Sequence, residues 1–187
     1  MMTENCPLLW ATIELETRDQ YGRLTESRVF PAESYVIGML DTFYSGAAKN
    51  VTDTGGTSRS LPVTPSIDGT GPLATATRGI VVGTGTTAVT VGDTKLQTQV
   101  LEGAAANLIH HILEEFTTPA TSGSTRSFKA TRLFLNDSGS DIVINEVGYY
   151  MLTSGWNFCL ARDIVSPGIT VVNLGSLTVR YTIGVTV

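Results

Sequence analysis

The side chains with the most chemical potential stand in one short run, His110-His111 followed by Glu114-Glu115. Imidazole and carboxylate at close spacing is the raw material of a metal site or an acid–base pair. On a helix, His110 and Glu114 would share a face at i,i+4; on a strand, the two histidines would point to opposite faces. The chain has only these two histidines and no cysteine nearby, so the run does not complete a four-ligand set. The glycine run Gly83-Thr84-Gly85-Thr86-Thr87 invites a phosphate-loop reading. A Walker motif needs a lysine after its last glycine, and a dinucleotide fingerprint needs a third glycine opening a helix; neither is present, and turn geometry explains these glycines better. There is no G-x-S-x-G elbow to set a serine beside a base. Glu14/Glu16 and Glu114/Glu115 read as solvent-facing charge, and Asp163 beside Arg162 as an ion pair at a turn. Trp10, Trp156, Tyr149 and Tyr150 could stack on a sugar, but single aromatics at strand positions are more often core or interface anchors. No catalytic, cofactor-binding or metal-ligating residue is assigned, no cofactor is expected, and the reading is of a protein that is not an enzyme.

The elements that would position these groups are strands. Thr178–Val187 reads T-V-R-Y-T-I-G-V-T-V, with Val179, Tyr181, Ile183, Val185 and Val187 on one face and Thr178, Arg180, Thr182, Gly184 and Thr186 on the other. That period of two marks a half-buried antiparallel strand zipped into a sheet. Residues 8–17 alternate in the same way, and with the turn at 18–23 and a return over 25–30 they predict an N-terminal hairpin or arm over residues 1–30. Val36, Ile37, Leu40, Phe43 and Tyr44 recur at three- and four-residue spacing, so 34–45 predicts one short amphipathic helix, capped by Ser34 and stopped at Gly46. From 45 to 77 the periodicity vanishes into Gly, Ser, Thr, Pro and Asp. That stretch reads as a long loop, either a mobile surface insertion or an assembly arm that orders only against neighbouring subunits. Strands are expected again at 79–83, 88–91, 94–101, 128–135, 142–152 and 156–162, with Ser166-Pro167-Gly168 as a break before the terminal strand. Residues 128–135 and 142–152, joined by Asp137-Ser138-Gly139-Ser140, form the strongest hairpin signal in the chain. Over 104–118 the spacing of Leu108, Ile109, Ile112, Leu113 and Phe116 fits a helix better than a strand, whereas the order of the flanking elements argues for a strand.

Composition agrees with a sheet protein that assembles. The 187 residues suit one domain, 1–187, and only 16% of them are charged against a usual share of about 25%. Lysine, strongly hydrated and depleted at interfaces, occurs only at 49, 95 and 129. The net charge of −5 and the scattered arginines give no basic patch, so no nucleic-acid partner is expected. No apolar run approaches the length of a membrane span, and the N-terminus lacks the basic region of a secretory signal, so neither a membrane nor export is expected. Cys6 and Cys159 are too few for a disulfide framework and read as free thiols.

Three segments resemble a group of tailed-bacteriophage virion proteins: G-I-V-V-G-T-G-T-T-A-V-T-V-G-D-T-K-L-Q-T at 79–98, L-N-D-S-G-S-D-I-V-I-N-E-V-G-Y-Y at 135–150, and L-A-R-D-I-V-S-P-G-I-T-V-V-N-L-G-S-L-T-V-R-Y-T-I at 160–183. Residues 34–44, S-Y-V-I-G-M-L-D-T-F-Y, echo their N-terminal part, and the similarity covers most of the chain except the 45–77 loop. Where such proteins carry a Gly-rich stretch, this chain has the bulkier A-A-A-N-L-I-H-H-I-L-E-E-F at 104–116, and the resemblance favours a strand there. The fold expected is all-β, an antiparallel β-sandwich of jelly-roll type with one short N-terminal helix and a long Gly/Ser/Thr loop. The resemblance implies a protein of the virus particle without placing it within the particle; the function expected is a non-enzymatic structural subunit of the virion, made in the host cytoplasm and foremost a capsid cement or decoration protein. Its partners would be the major capsid protein or tail proteins and copies of itself, a trimer among the options. A tail, collar or fibre-attachment protein is the first alternative, and a host-glycan-binding β-sandwich module the second.

Overall fold

The computed structural model describes residues 8–32, 34–35, 49–61 and 67–187. Everything regular among them is β. In chain order the strands are β1 (Leu8–Arg18), β2 (Leu24–Pro31), β3 (Lys49–Thr52), β4 (Ser58–Leu61), β5 (Ile67–Asp68), β6 (Gly79–Gly83) and β7 (Leu101–Glu102). They continue as β8 (Leu108–His111), β9 (Glu115–Phe116), β10 (Ala120–Ser122), β11 (Thr125–Leu135), β12 (Ile142–Thr153), β13 (Trp156–Val171) and β14 (Ser176–Thr186). The first sheet runs β2-β1-β14-β11-β8-β7, with β9 and β10 also on β11; the second has β12 between β13 and the pair β5 and β6; β3 and β4 pair alone. All pairings are antiparallel except β7 with β8.

The two main sheets pack face to face in a sandwich-like arrangement, and the alternation of each strand says which side faces in. Ile13 and Leu15 of β1, Leu177 and Val179 of β14 and Phe134 of β11 meet Ile142, Ile144 and Val147 of β12, Ile169 and Val171 of β13 and Ile80 and Val82 of β6 in one buried cluster. Burying such side chains is worth about 1.5–3 kcal/mol each. The terminal strand is central, zipped along its length to β1 on one side and β11 on the other. Its inward alternation holds through Tyr181, while Val185 and Val187 are exposed.

The N-terminal hairpin is formed by β1 and β2 in the expected place. The hairpin expected between 128–135 and 142–152 is not formed. β11 lies in the first sheet and β12 in the second, so the turn at 137–140 is an arch from one sheet to the other. Asn136 anchors the arch, its side-chain amide donating to the carbonyls of Ser140 and Val171 at 2.9 and 2.8 Å. The tight hairpin is instead β12–β13, where Ser154 and Gly155 both take positive φ (52° and 83°), the geometry of a two-residue primed turn. Ser166-Pro167-Gly168 does not end β13; it is absorbed as a register irregularity in which Ile144 faces Ile169 and Glu146 faces Ile164.

Residues 88–91 and 94–101 are not strands, apart from the β-bridge of Gln99 to Gly83 and the start of β7 at Leu101. They form a loop over the outer face of the second sheet, where Leu96 joins Val81, Tyr150 and Cys159 in a second small core. With both faces covered, β6 is buried at all five residues, and its unbroken apolar run follows from that. The stretch expected to be a structureless loop over 45–77 carries β3, β4 and β5 in its described part. The β3–β4 hairpin turns on Asp53, whose carboxylate takes the Thr57 N–H at 2.8 Å, and packs Val51 and Leu61 on Phe158. Four-residue strands are too short to show a period. Residues 104–118 do contain strands, β8 and β9. The helix expected over 34–45 lies outside the described residues except for Ser34 and Tyr35, and Tyr35 makes an antiparallel β-bridge with Ala161. No helix occurs among the described residues.

Candidate functional site

The run at 110–115 does not converge. β8 sends His110 to the surface and His111 into the core, where its ring meets Phe134 edge-on at 5.1 Å. What the two histidines share is Glu102 of β7, a partner the spacing gave no sign of. His110 Nδ1 lies 2.7 Å from Glu102 Oε1, and the His111 N–H donates to Oε2 at 2.7 Å. The hydrogen bond to Glu102, reinforced by Asp137, raises the His110 pKa, whereas burial, with Arg132 close by, pushes His111 down to about 4. Glu115 is exposed on β9, and Glu114 is buried, its Oε2 accepting the Gly71 N–H at 2.6 Å. Among the described residues no group of three or more His, Cys, Asp and Glu comes together as a metal set.

Glu114 lies in a polar layer organised by Arg132, which is fully buried. Its guanidinium donates to five backbone carbonyls, those of Ile112, Arg78, Ile80, Pro72 and Thr75, at 2.7–3.0 Å. A guanidinium has five N–H groups, so its donors are fully used, four on the 72–80 segment and one on Ile112, pinning both to β11. The backbone comes so close that a Cβ on Gly71 would stand 2.8 Å from the guanidinium carbon. Burial raises the Glu114 pKa to about 7 and lowers that of Arg132 to about 10.

The glycine run at 83–87 borders an anion that is the protein's own, giving it one N–H while the 97–98 segment gives two more. Glu146 of β12, fully buried, accepts N–H groups from Gly85 (3.2 Å) and Thr98 (2.7 Å) on Oε1 and from Gln97 (3.0 Å) on Oε2. Arg162 of β13 closes the set: its Nε reaches Glu146 at 2.8 Å, Nη1 reaches Asp93 at 2.7 Å, and Nη2 donates to the Thr87 carbonyl. A Cβ on Gly83 would stand 2.5 Å from Glu146 Oε1, which is why glycine is needed there. Arg162 and Asp163 are therefore not a turn ion pair. They sit inside β13, and Asp163 accepts the Ser34 N–H at 3.1 Å.

The four aromatics do not make a platform. Trp10 lies on the outer face of β1 with its indole N–H on Thr186 Oγ1, while Trp156 opens β13 with Arg59 stacked 3.3 Å above its ring. Tyr149 donates to the Gly69 carbonyl, and Tyr150, one residue on, takes the Leu96 N–H on its hydroxyl. Cys159 is a buried free thiol, pushed up to about 12 by burial, and Cys6 lies outside the described residues.

Among the described residues, two further surface features stand out. One is the first sheet's outer side. Glu14 and Glu16 both pair there with Arg180, at 3.1 and 3.2 Å, amid Thr12, Thr178, Thr182 and Thr186, and β2 forms the edge with Val29 67% exposed. The other is a cavity of about 440 Å³ between the sheets at the Leu9 end of β1, walled by apolar side chains of both. No protein-family model, curated protein or solved structure matches this chain.

Proposed function

We infer that the chain is a non-enzymatic structural subunit of a tailed-phage virion, foremost a capsid cement or decoration protein that binds and stabilises the capsid lattice. The observation that carries the reading is the edge of the first sheet. β2 is an eight-residue outer strand, unpaired on its far side among the described residues, with Leu24 52% and Val29 67% exposed. Such an edge is a template for another chain, and closed assembly is the natural way to cover it. The face beside it is rich in threonine, its charges paired on the surface. The buried charges near the glycine-rich loops clamp those loops, which suits a rigid fastener better than a reaction centre. The jelly-roll reading draws on the ribbon made by the last four strands: β11 pairs with β14 in one sheet and β12 with β13 in the other, so a long antiparallel ribbon folds over the core. The resemblance of residues 79–98, 135–150 and 160–183 to tailed-phage virion proteins supplies the virion setting.

The test is quantitative mass spectrometry of purified particles from the culture that produces the protein. The reading expects this chain in the particle at a copy number comparable to the major capsid protein. A copy number of a single small ring moves it to the tail or collar, and absence from particles removes the virion reading.

A further inference from the structure

We propose that β2 pairs with β2 of a second copy of this chain, antiparallel about a two-fold axis through Ser27. This rests on the reading of β2 as an open edge and adds to it the partner and the register. The phase of the free ladder follows from the strand's other side. The Ala32 N–H donates to the Ala11 carbonyl at 2.9 Å, and the register continues with Phe30 opposite Ile13, Arg28 opposite Leu15 and Glu26 opposite Thr17. Antiparallel strands alternate hydrogen-bonded and non-hydrogen-bonded pairs, so Phe30, Arg28 and Glu26 direct their backbone groups at β1. The N–H and C=O groups of Ser27 and Val29, and the carbonyl of Thr25, therefore point to the open edge. Pro31, next in that row, has no N–H to offer.

Only residues of that row can form hydrogen-bonded pairs with a new strand, which leaves few registers. With Ser27 on the axis, each Ser27 N–H meets the other Ser27 carbonyl, and each Val29 N–H meets a Thr25 carbonyl. Glu26 then stands opposite Arg28 of the second copy, so four charges alternate in sign around the axis. Within one chain these two side chains already touch, Arg28 Nε donating to Glu26 Oε1 at 2.6 Å. Opposite charges directly across a pair of strands stabilise it, and like charges destabilise it. The neighbouring registers fail on that count. An axis through Glu26 sets that carboxylate against itself. An axis through Arg28 sets the guanidinium against itself and brings Thr25 opposite Pro31, where a donor is missing.

Oxidative cross-linking of single-cysteine variants tests the register, in a chain carrying Cys6→Ser and keeping the buried Cys159. Ser27 and Val29 are both exposed. On the axis, the two copies of residue 27 have Cα atoms about 5.5 Å apart, within the roughly 4.4–6.8 Å that a disulfide spans. The two copies of residue 29 are offset by four residues, about 13 Å along the strands. Ser27→Cys should give a disulfide-linked dimer and Val29→Cys should not. Glu26→Arg, which rings the axis with cations, should weaken the dimer about tenfold in sedimentation while circular dichroism stays that of the wild type. A disulfide from Val29→Cys in place of Ser27→Cys, or a folded Glu26→Arg chain that associates like the wild type, overturns the register and leaves β2 as the edge. A wild-type chain that sediments as a monomer overturns the second copy as partner, while an edge open to a different chain stands. A wild-type dimer that neither cysteine captures overturns the inference and the open-edge reading together.

Discussion

At the scale of single residues, the protein handles buried charge in two ways. Glu146 is bonded by three backbone N–H groups and a guanidinium. Glu114 has one carboxylate oxygen on the Gly71 N–H and the other without a partner among the described residues. It faces Arg132 and, from the neighbouring segments, Asp68, with His111, Glu102 and Tyr149 around the same guanidinium. Burial raises its pKa from 4.5 to about 7, so between those values the folded chain keeps a proton that the unfolded chain releases. Stability therefore falls as pH rises through that window. His111 works in the opposite sense: its folded pKa of about 4 lies below the ordinary 6.5, so its share of stability rises with pH between them. Glu114→Gln keeps an acceptor for Gly71 and removes only the falling part. Relative to the wild type, the variant should gain stability between pH 4.5 and 7, by up to about 3 kcal/mol from a shift of this size. Urea melts across that range check it, and a difference that does not change with pH overturns the assignment.

At the scale of elements, each strand's alternation carries its facing but not its neighbour. Val179 and Thr182 of β14 illustrate the part that was legible. Val179 is fully buried against β1 and β11, whereas Thr182 lies partly exposed on the outer face. Val179→Asp should leave the protein insoluble, because an unpaired charge in the core outweighs a total stability of about 5–15 kcal/mol. Thr182→Asp should shift the thermal midpoint by only a few degrees, for about 1 kcal/mol. Equal behaviour of the two in solubility and melting would mean the facing is wrong. What a local pattern does not hold is the partner across a long loop. The signal at 136–140 is the same for a hairpin as for an arch between sheets, and only pairing with the later β14 separates them. Residues 94–101 alternate like a strand, yet their N–H groups at 97 and 98 go to Glu146, nearly fifty residues away. The glycines at 83–87 read as a turn in the sequence, but Gly83 closes β6 and Gly85 gives its N–H to Glu146; that pairing was not legible, since Glu146 is as distant in sequence as any other acid. The cavity was invisible for the same reason, its walls coming from both sheets.

At the scale of the whole molecule, the sandwich is closed at its centre and open at its edge. The two main sheets share one apolar core, the loop over 84–100 shields the second sheet, and β14, the last strand, is held between two others. The edge is β2. Its inward-facing Arg28 reaches across to the carbonyls of Pro167 and Gly168, which fixes the strand to β13, while Val29 points to the outer face opposite Glu14. Among the described residues this leaves an anchored but unpaired ladder with an apolar side chain beside it, an arrangement that favours addition of another strand. A lysine at such a position is the device natural sheets use to prevent that addition. Val29→Lys changes a residue that is 67% exposed, so its effect on folding should stay within about 0.5 kcal/mol. It also places a cation opposite Glu14, which holds the local pairing. The wild-type chain should therefore sediment as an oligomer and Val29→Lys as a monomer, with both melting at the same temperature. If the variant keeps the wild-type sedimentation, the contact between copies lies elsewhere than on β2. If it unfolds, Val29→Thr, which keeps the branched shape and adds a polar group, separates loss of the edge contact from loss of the strand.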